Sequence, residues 1–333
     1  MLALYHRLAH RCQTRNQLNK VHIALENRMT PNELLELWRH YHRTKHANPL
    51  SLAAAKLLQK TKRALFAGNT WASIGSGAAP GSQEMGAREW TDKLQQKLLL
   101  AGNRSAADFA RERLAHSAGR YSNGSPRHDK TLLFCFSGNA HRMMMPMPLF
   151  LQHLDPNEVD VVYLRTEKHA GYRTGIRGIG NCLPSSINHL MERCQVQDYA
   201  RIAIAGTSGG GMPALLAALQ MGAAAVIAVG ANSPDDPRWE EYRQGGNGAD
   251  LFRHFIRDPE TLPAIHLVHG ADHPRDGIAN QCIADYITVS SITSVENSGH
   301  AALFPLVERG QFHALLRSTI LPVPVTQQTR KHN

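Results

Sequence analysis

The 333-residue chain lacks the features of a disulfide-rich secreted protein or of a membrane-spanning protein. No run approaches the ~20 consecutive apolar residues that a spanning helix needs, and basic side chains interrupt the only apolar stretch near residue 1, so no signal peptide is expected. The cysteines are few and show no C-x-x-C pairing, which argues against a disulfide framework or a structural zinc: Cys12, Cys135, Cys182, Cys194 and Cys282. We therefore expect a cytoplasmic protein that has neither a cofactor nor a metal.

Acidic residues are scarce in the first part of the chain. Residues 1–130 contain 21 Lys and Arg against 9 Asp and Glu, so the net charge of +10 arises in this region. Apolar spacing and Asn/Pro turns predict a basic all-α domain over residues 1–126, with a loop at 68–86 and a linker at 117–126. Its helices are predicted at 2–18, 31–43, 50–66, 91–100 and 106–116.

The excess of positive charge on this helical domain has three interpretations. It is a solvated scaffold, a docking surface for an anionic partner such as an acidic glycan or the headgroups of a membrane surface, or a nucleic-acid binder. Charge alone implies non-specific attraction and not a particular partner. Aromatic residues are sparse in this region and no nucleic-acid motif is present, so nucleic-acid binding is the least favoured interpretation.

The remainder of the chain, residues 127–333, alternates apolar strands with helices. Strands are predicted at 131–136, 159–164, 201–205, 224–229, 264–269 and 291–296. Helices are predicted between or after them at 145–154, 183–195, 211–221, 250–257, 277–287 and 301–316. This alternation predicts an α/β domain with a mostly parallel sheet and helices on both faces.

A serine stands on a glycine-rich turn between a predicted strand and a predicted helix. The run Gly206-Thr207-Ser208-Gly209-Gly210 follows the strand 201–205 and fits G-x-S-x-G in the strand-turn-helix context of a nucleophilic serine. An ordinary turn or a phosphate loop is the alternative. Dinucleotide-binding spacings match poorly here, and no Lys follows the last glycine as a P-loop requires. We expect Ser208 to be a nucleophile.

A base and an acid follow Ser208 in the order that serine acyl chemistry uses. His300 lies in a small-residue loop after the last predicted strand and is the candidate general base. Asp272 comes soon after the strand 264–269, where open α/β sheets bind ligands. Asp276 is the alternative acid, although a carboxylate at a helix start also serves as an N-cap. We favour Asp272 because it is nearer to the end of the strand.

An oxyanion hole needs two N–H donors. The first is expected from Gly209, which follows the nucleophile. The second is expected from the loop after the strand 131–136, where the backbone N–H of Asn139 or Ala140 is the candidate. A plain glycine turn is the alternative for this loop.

Residues 131–316 resemble the α/β-hydrolase superfamily through the G-x-S-x-G run, Gly270-Ala271-Asp272 and Gly299-His300. The acid here departs from the spacing that is common in the family. The segments 171–178 and 224–234 are also similar to bacterial hydrolase-like proteins that modify surface polysaccharides or glycoproteins. That resemblance implies acyl or acetyl transfer to and from sugars.

Two functions are consistent with these observations. The first is a serine esterase or O-acyltransferase with an acyl-ester substrate, either a small molecule or a glycan. The second is a non-catalytic protein that binds a partner through its basic helices and keeps a hydrolase-like scaffold. The presence of both Ser208 and His300 favours the first. The sequence predicts no oligomeric state.

Overall fold

The computed structural model of the chain describes residues 2–11, 108–166, 171–240 and 262–321, with single residues between 21 and 37. The chain divides into two compact units. The first unit comprises residues 1–109 with 145–155, and the second comprises residues 110–144 with 156–333. Within the described ranges, no helix is both long and apolar enough to cross a membrane.

The first unit contributes two described helices. Helix α1 (Leu2–His10) lies inside the predicted helix 2–18, and helix α2 (Met147–Leu151) lies inside the predicted helix 145–154. Pro146 precedes α2 as its N-cap residue. Glu33, Glu36 and Leu37 are helical, as predicted for 31–43. The predicted helices 50–66 and 91–100 and the loop 68–86 lie outside the described residues.

The second unit is built on an eight-stranded sheet of order β1-β2-β4-β3-β5-β6-β7-β8. Strand β2 is antiparallel to β1 and β4, and all the other neighbours are parallel. The strands are β1 (Ala110–Arg113), β2 (Ala118–Ser122), β3 (Thr131–Phe136), β4 (Val159–Leu164), β5 (Arg201–Thr207), β6 (Ala225–Val229), β7 (Ala264–Gly270) and β8 (Ser291–Val295).

The structure corrects the prediction for residues 106–126. The predicted helix 106–116 and linker 117–126 contain β1 and β2, so the sheet begins before the expected domain boundary at residue 126. Strand β2 pairs with β4, whose partner residues lie about forty positions later in the chain. Strand β1 is exposed along its length, and its Arg-Glu-Arg sequence suits a charged edge strand that resists pairing with another chain.

Helices cover the central strands of the sheet. All residues of β3, β4 and β6 are buried, and because successive side chains point to opposite faces, both faces of the sheet are covered there. The α-helices of this unit among the described residues are α3 (Leu183–Cys194), α4 (Gly211–Gln220), α5 (Pro274–Tyr286), α6 (Leu303–Glu308) and α7 (Phe312–Thr319). The predicted helix 301–316 is split by Gly310, whose φ is +68°. The predicted helix 250–257 lies outside the described residues.

The strand order places a crevice at the carboxyl end of the sheet. Strand β3 lies between β4 and β5, so the chain leaves β3 toward one side and returns beside it on the other. Open α/β sheets bind ligands at such a switch point, beyond the carboxyl ends of the strands. The loop after β3 and the turn after β5 therefore meet at this place. The predicted fold class is confirmed.

Candidate active site

Ser208 stands on a tight turn at the carboxyl end of β5. Its φ is +52°, in the left-handed region that non-glycine residues rarely adopt, and a helical turn leading into α4 starts at the serine itself. Gly210 lets this turn approach the end of β3, because a Cβ at that position would overlap the carbonyl oxygen of Phe136 and lie 2.8 Å from that of Ser137. The serine hydroxyl is held away from the sheet by the strained turn, as a nucleophile requires.

Ser208, His300 and Asp276 form a continuous hydrogen-bonded chain. The Ser208 Oγ lies 2.8 Å from His300 Nε2, and His300 Nδ1 lies 2.6 Å from Asp276 Oδ2. A carboxylate only accepts, so Nδ1 carries the proton and Nε2 is left to accept the serine proton. Asp276 is buried, with 8% of its side chain exposed. It lies in the first turn of α5, where the helix dipole favours a negative charge.

Asp272, the acid favoured by the sequence, makes no hydrogen bond or ion pair with His300. Its side chain is exposed, and its backbone N–H donates to the carbonyl oxygen of Ser298 at 2.9 Å. The bond ties the turn after β7 to the loop that carries His300. Because α5 begins at Pro274, the chain makes a turn first and then directs Asp276 inward. The structure therefore assigns the contact to the alternative acid, Asp276.

Gly230 makes room for the His300–Asp276 pair. It follows β6 with a φ of +57°. A Cβ built on it would lie 2.9 Å from His300 Cε1 and 3.0 Å from Asp276 Oδ2. Any side chain here would displace the imidazole or the carboxylate. The pair is thus packed directly against the backbone at the end of β6.

Thr207 connects the loop after β3 to the turn that carries Ser208. Thr207 Oγ1 accepts a hydrogen bond from the Gly138 N–H at 3.3 Å and donates to the Arg142 carbonyl oxygen at 3.2 Å. A Cβ on Gly138 would be 3.0 Å from the Ser208 Cβ, so the loop lies directly beside the serine. Asn139 follows, with its side chain against Gly209.

The three candidate oxyanion donors lie at the junction between the loop after β3 and the turn that carries Ser208. Gly209 lies in the first turn of the helix, whose leading N–H groups have no intrahelical acceptor. In the described part of the chain, the backbone N–H groups of Asn139 and Ala140 donate no hydrogen bond. The junction therefore offers unpaired N–H groups beside the Ser208 hydroxyl.

Tyr172 supports the same loop from behind. It is fully buried, and its hydroxyl donates to the carbonyl oxygens of Ser137 and Leu164, at 3.0 and 2.9 Å. These carbonyls belong to the ends of β3 and β4. Burial raises the pKa of the Tyr172 phenol, so the hydroxyl stays a donor. Ser137 precedes the Gly138-Asn139 turn, so the phenol fixes the start of the loop.

We predict that Tyr172→Phe lowers kcat about tenfold and changes KM little, because the carbonyls lose their donor and the loop no longer holds its N–H groups in place. Steady-state ester kinetics with a thermal melt measure this. Tyr199→Phe is a matched control, since the Tyr199 hydroxyl donates at 2.9 Å to Asp160, which lies at the opposite end of the sheet. If the melting temperature falls equally in both variants and kcat falls in neither, the role of Tyr172 is structural only.

Two polar atoms of the loop after β3 are left without a partner. In the described ranges, the buried Asn139 Oδ1 and His141 Nδ1 make no hydrogen bond. Burial, and secondarily the charge of Arg165, lowers the pKa of His141, so its imidazole is neutral near pH 7. Buried polar groups usually have a partner. Both atoms are shielded from solvent, so they are unsatisfied polar groups within the loop beside Ser208.

Two other side chains do not contribute to this site. Cys135 is fully buried in β3, and burial raises the pKa of its thiol, so it is a core residue. Trp239 is 2% exposed and packs in the core.

No protein-family model matches the chain, and no curated protein matches it. Among solved structures, it is similar to Est1E from Butyrivibrio proteoclasticus at 14% identity, over 62% of this chain and 97% of that one, with a TM-score of 0.41. It is similar to a dienelactone hydrolase from Anabaena variabilis at 12% identity, over 64% and 99%, with a TM-score of 0.45. Esterase B from Lactobacillus rhamnosis matches at 14% identity, over 72% and 95%, with a TM-score of 0.44.

The fold itself follows from the architecture of the second unit. Its mostly parallel sheet carries a serine turn after β5, an acid after β7 and a histidine after β8. Serine, acid and histidine follow one another in the chain order of the α/β-hydrolase superfamily, and the loop after β3 lies beside the serine. The second unit has the α/β-hydrolase fold.

Proposed function

We propose that this chain is a serine hydrolase that cleaves carboxylic esters through an acyl-enzyme. The observation that carries the proposal is the hydrogen-bonded chain from Ser208 through His300 to Asp276. His300 accepts the serine proton at Nε2 while Oγ attacks the ester carbonyl. Asp276 fixes the imidazole tautomer and stabilises the imidazolium that forms.

The oxyanion of the tetrahedral intermediate accepts hydrogen bonds from Gly209 and from the Asn139 or Ala140 N–H. His300 then donates its Nε2 proton to the departing alcohol oxygen, and the acyl group stays on Ser208. In the second half, His300 takes a proton from water while the water oxygen attacks the acyl carbonyl carbon. The bond from that carbon to Ser208 Oγ then breaks, His300 returns the proton to Oγ, and the acid leaves. When the hydroxyl of an acceptor replaces water, the same steps give acyl transfer.

The proposed substrate class is an acyl ester of a polyhydroxylated molecule, either an acylated glycan or a precursor of a surface polysaccharide. The segments 171–178 and 224–234 support it, because they are similar to bacterial hydrolase-like proteins that modify surface polysaccharides or glycoproteins.

Acetate release from acetylated sugars, compared with that from alkyl acetates of similar size, tests this proposal. We expect the wild type to release acetate from both classes, with a higher kcat/KM for the sugars, and Ser208→Ala to release none above background. Product analysis with added free sugar separates hydrolysis from transfer. Acetate release by Ser208→Ala equal to that by the wild type would contradict the proposal. A preference of the wild type for alkyl acetates would contradict a glycan substrate.

The basic N-terminal region enters the proposal only as a docking surface for an anionic partner or a membrane surface. Two of its predicted helices, 50–66 and 91–100, lie outside the described residues, so this role stays a prediction, as does the cytoplasmic location. Nucleic-acid binding is still the least favoured role.

A further inference from the structure

A second histidine lies beside the carboxylate of the candidate triad. His273 immediately precedes α5, and its Nδ1 lies 3.0 Å from Asp276 Oδ1, the oxygen that His300 does not contact. The two imidazole rings are 5.2 Å apart between their centroids. One ligand atom from each of His273, Asp276 and His300 lies within 4.8 Å of the others. The triad chemistry described above does not use His273.

The His273 Nδ1 is close to Asp276 but does not hydrogen-bond to it. In the described part of the chain it is a buried nitrogen with no partner of suitable geometry, so the 3.0 Å distance reflects proximity alone. The ring as a whole is 37% exposed, compared with 22% for His300 and 8% for Asp276. An ion that arrives from solvent therefore meets His273 first, with the buried carboxylate behind it.

We propose that His273, Asp276 and His300 form a reversible site for a zinc-like divalent transition metal. Two imidazole nitrogens and one carboxylate oxygen are a ligand set that zinc accepts, whereas calcium and magnesium prefer oxygen alone. With bonds of about 2.0–2.2 Å, tetrahedral ligand atoms lie roughly 3.4 Å apart. The Asp276 oxygens lie 3.0 Å from His273 Nδ1 and 2.6 Å from His300 Nδ1, so a small outward rotation of the rings opens the site.

An ion at this site is incompatible with the proposed acyl chemistry. An imidazole that binds a metal through Nδ1 has its proton on Nε2 instead. Nε2 of His300 can then no longer take the proton of Ser208. The metal also displaces the Nδ1 proton and occupies the carboxylate, which removes the triad contact. The metal and the catalytic hydrogen-bonded chain therefore exclude each other. This consequence rests on the proposed hydrolase function, whereas metal binding itself does not.

Zinc binding to full-length Ser208→Ala separates these two claims. We expect Ser208→Ala/His273→Gln to bind one zinc ion fewer per chain, or to bind that ion roughly tenfold or more weakly, in a calorimetric titration. Ser208→Ala/His128→Gln is the matched control, because His128 lies 3.0 Å from Asp129 as an exposed pair. It should bind zinc as Ser208→Ala does. Equal stoichiometry and affinity in all three proteins would overturn the site.

The same substitution tests the effect on activity. We expect zinc to inhibit ester hydrolysis by the wild type reversibly, with recovery after a chelator, and magnesium to have no effect. His273→Gln should need roughly tenfold or more zinc for half inhibition. Lost binding in the titration with unchanged zinc sensitivity would overturn the inhibitory role. A wild type without esterase activity would refute the proposed function, while the titration would still decide the metal site.

Discussion

Asp276→Asn is expected to lower kcat by about four orders of magnitude, whereas Asp272→Asn should change it by less than about twofold. Asp276 accepts the His300 Nδ1 proton at 2.6 Å. An amide presents an N–H there as readily as an oxygen, which favours the wrong tautomer of the imidazole. Asp272 has an exposed side chain and supports the histidine loop through its backbone N–H, which the substitution keeps.

Steady-state hydrolysis of p-nitrophenyl acetate measures both variants, and a thermal melt shows whether each is folded. The two aspartates lie four residues apart at the start of α5, which makes them a close internal control. The reverse order of effects, with Asp272→Asn inactive and Asp276→Asn active, would show that the hydrogen bond to Asp276 is not the one used in catalysis.

Ser208→Ala and His300→Ala should each remove nearly all turnover, a loss on the order of 10⁶ in kcat. The hydroxyl and its base act as one unit, so the double variant should lose little more than either single one. Hydrolysis of p-nitrophenyl acetate by the three variants measures this. Losses that add up independently, or a His300→Ala variant near wild-type activity, would show that the two side chains do not act together.

The sheet and the serine turn were predictable because their signals are local. Six of the eight strands were predicted within two residues of their observed ends, since each is a short apolar run bounded by turn residues. The glycines around Ser208 predict a turn with little space for side chains. The structure agrees, because Gly210 lies close to the backbone at the end of β3. Local pattern was sufficient for the fold class and for the position of Ser208.

The acid could not be chosen from the sequence because its identity depends on where α5 starts. Both aspartates follow β7 closely, and proximity to the strand end favoured Asp272. Helix α5 begins at Pro274, and the turn before it leaves Asp272 exposed. The first turn of α5 then places Asp276 within hydrogen-bond distance of His300.

The residues that support the site gave even less signal in the sequence. Thr207 and Tyr172 act through hydrogen bonds to loops that are 30 or more positions away in the chain. His273 and Gly230 matter because two strand ends bring them against the same carboxylate. Strands β1 and β2 were mistaken for a helix and a linker for a similar reason, since their pairing with β4 is non-local.

Labelling with a fluorophosphonate tests the claim that Ser208 is an activated nucleophile. The reagent phosphonylates a serine only where a base removes its proton and donors stabilise the product oxyanion. We expect one adduct per wild-type chain by intact mass, located on the peptide with Ser208, with slow labelling of His300→Ala and none of Ser208→Ala. Equal labelling of wild type and Ser208→Ala, or no labelling of either, would contradict it.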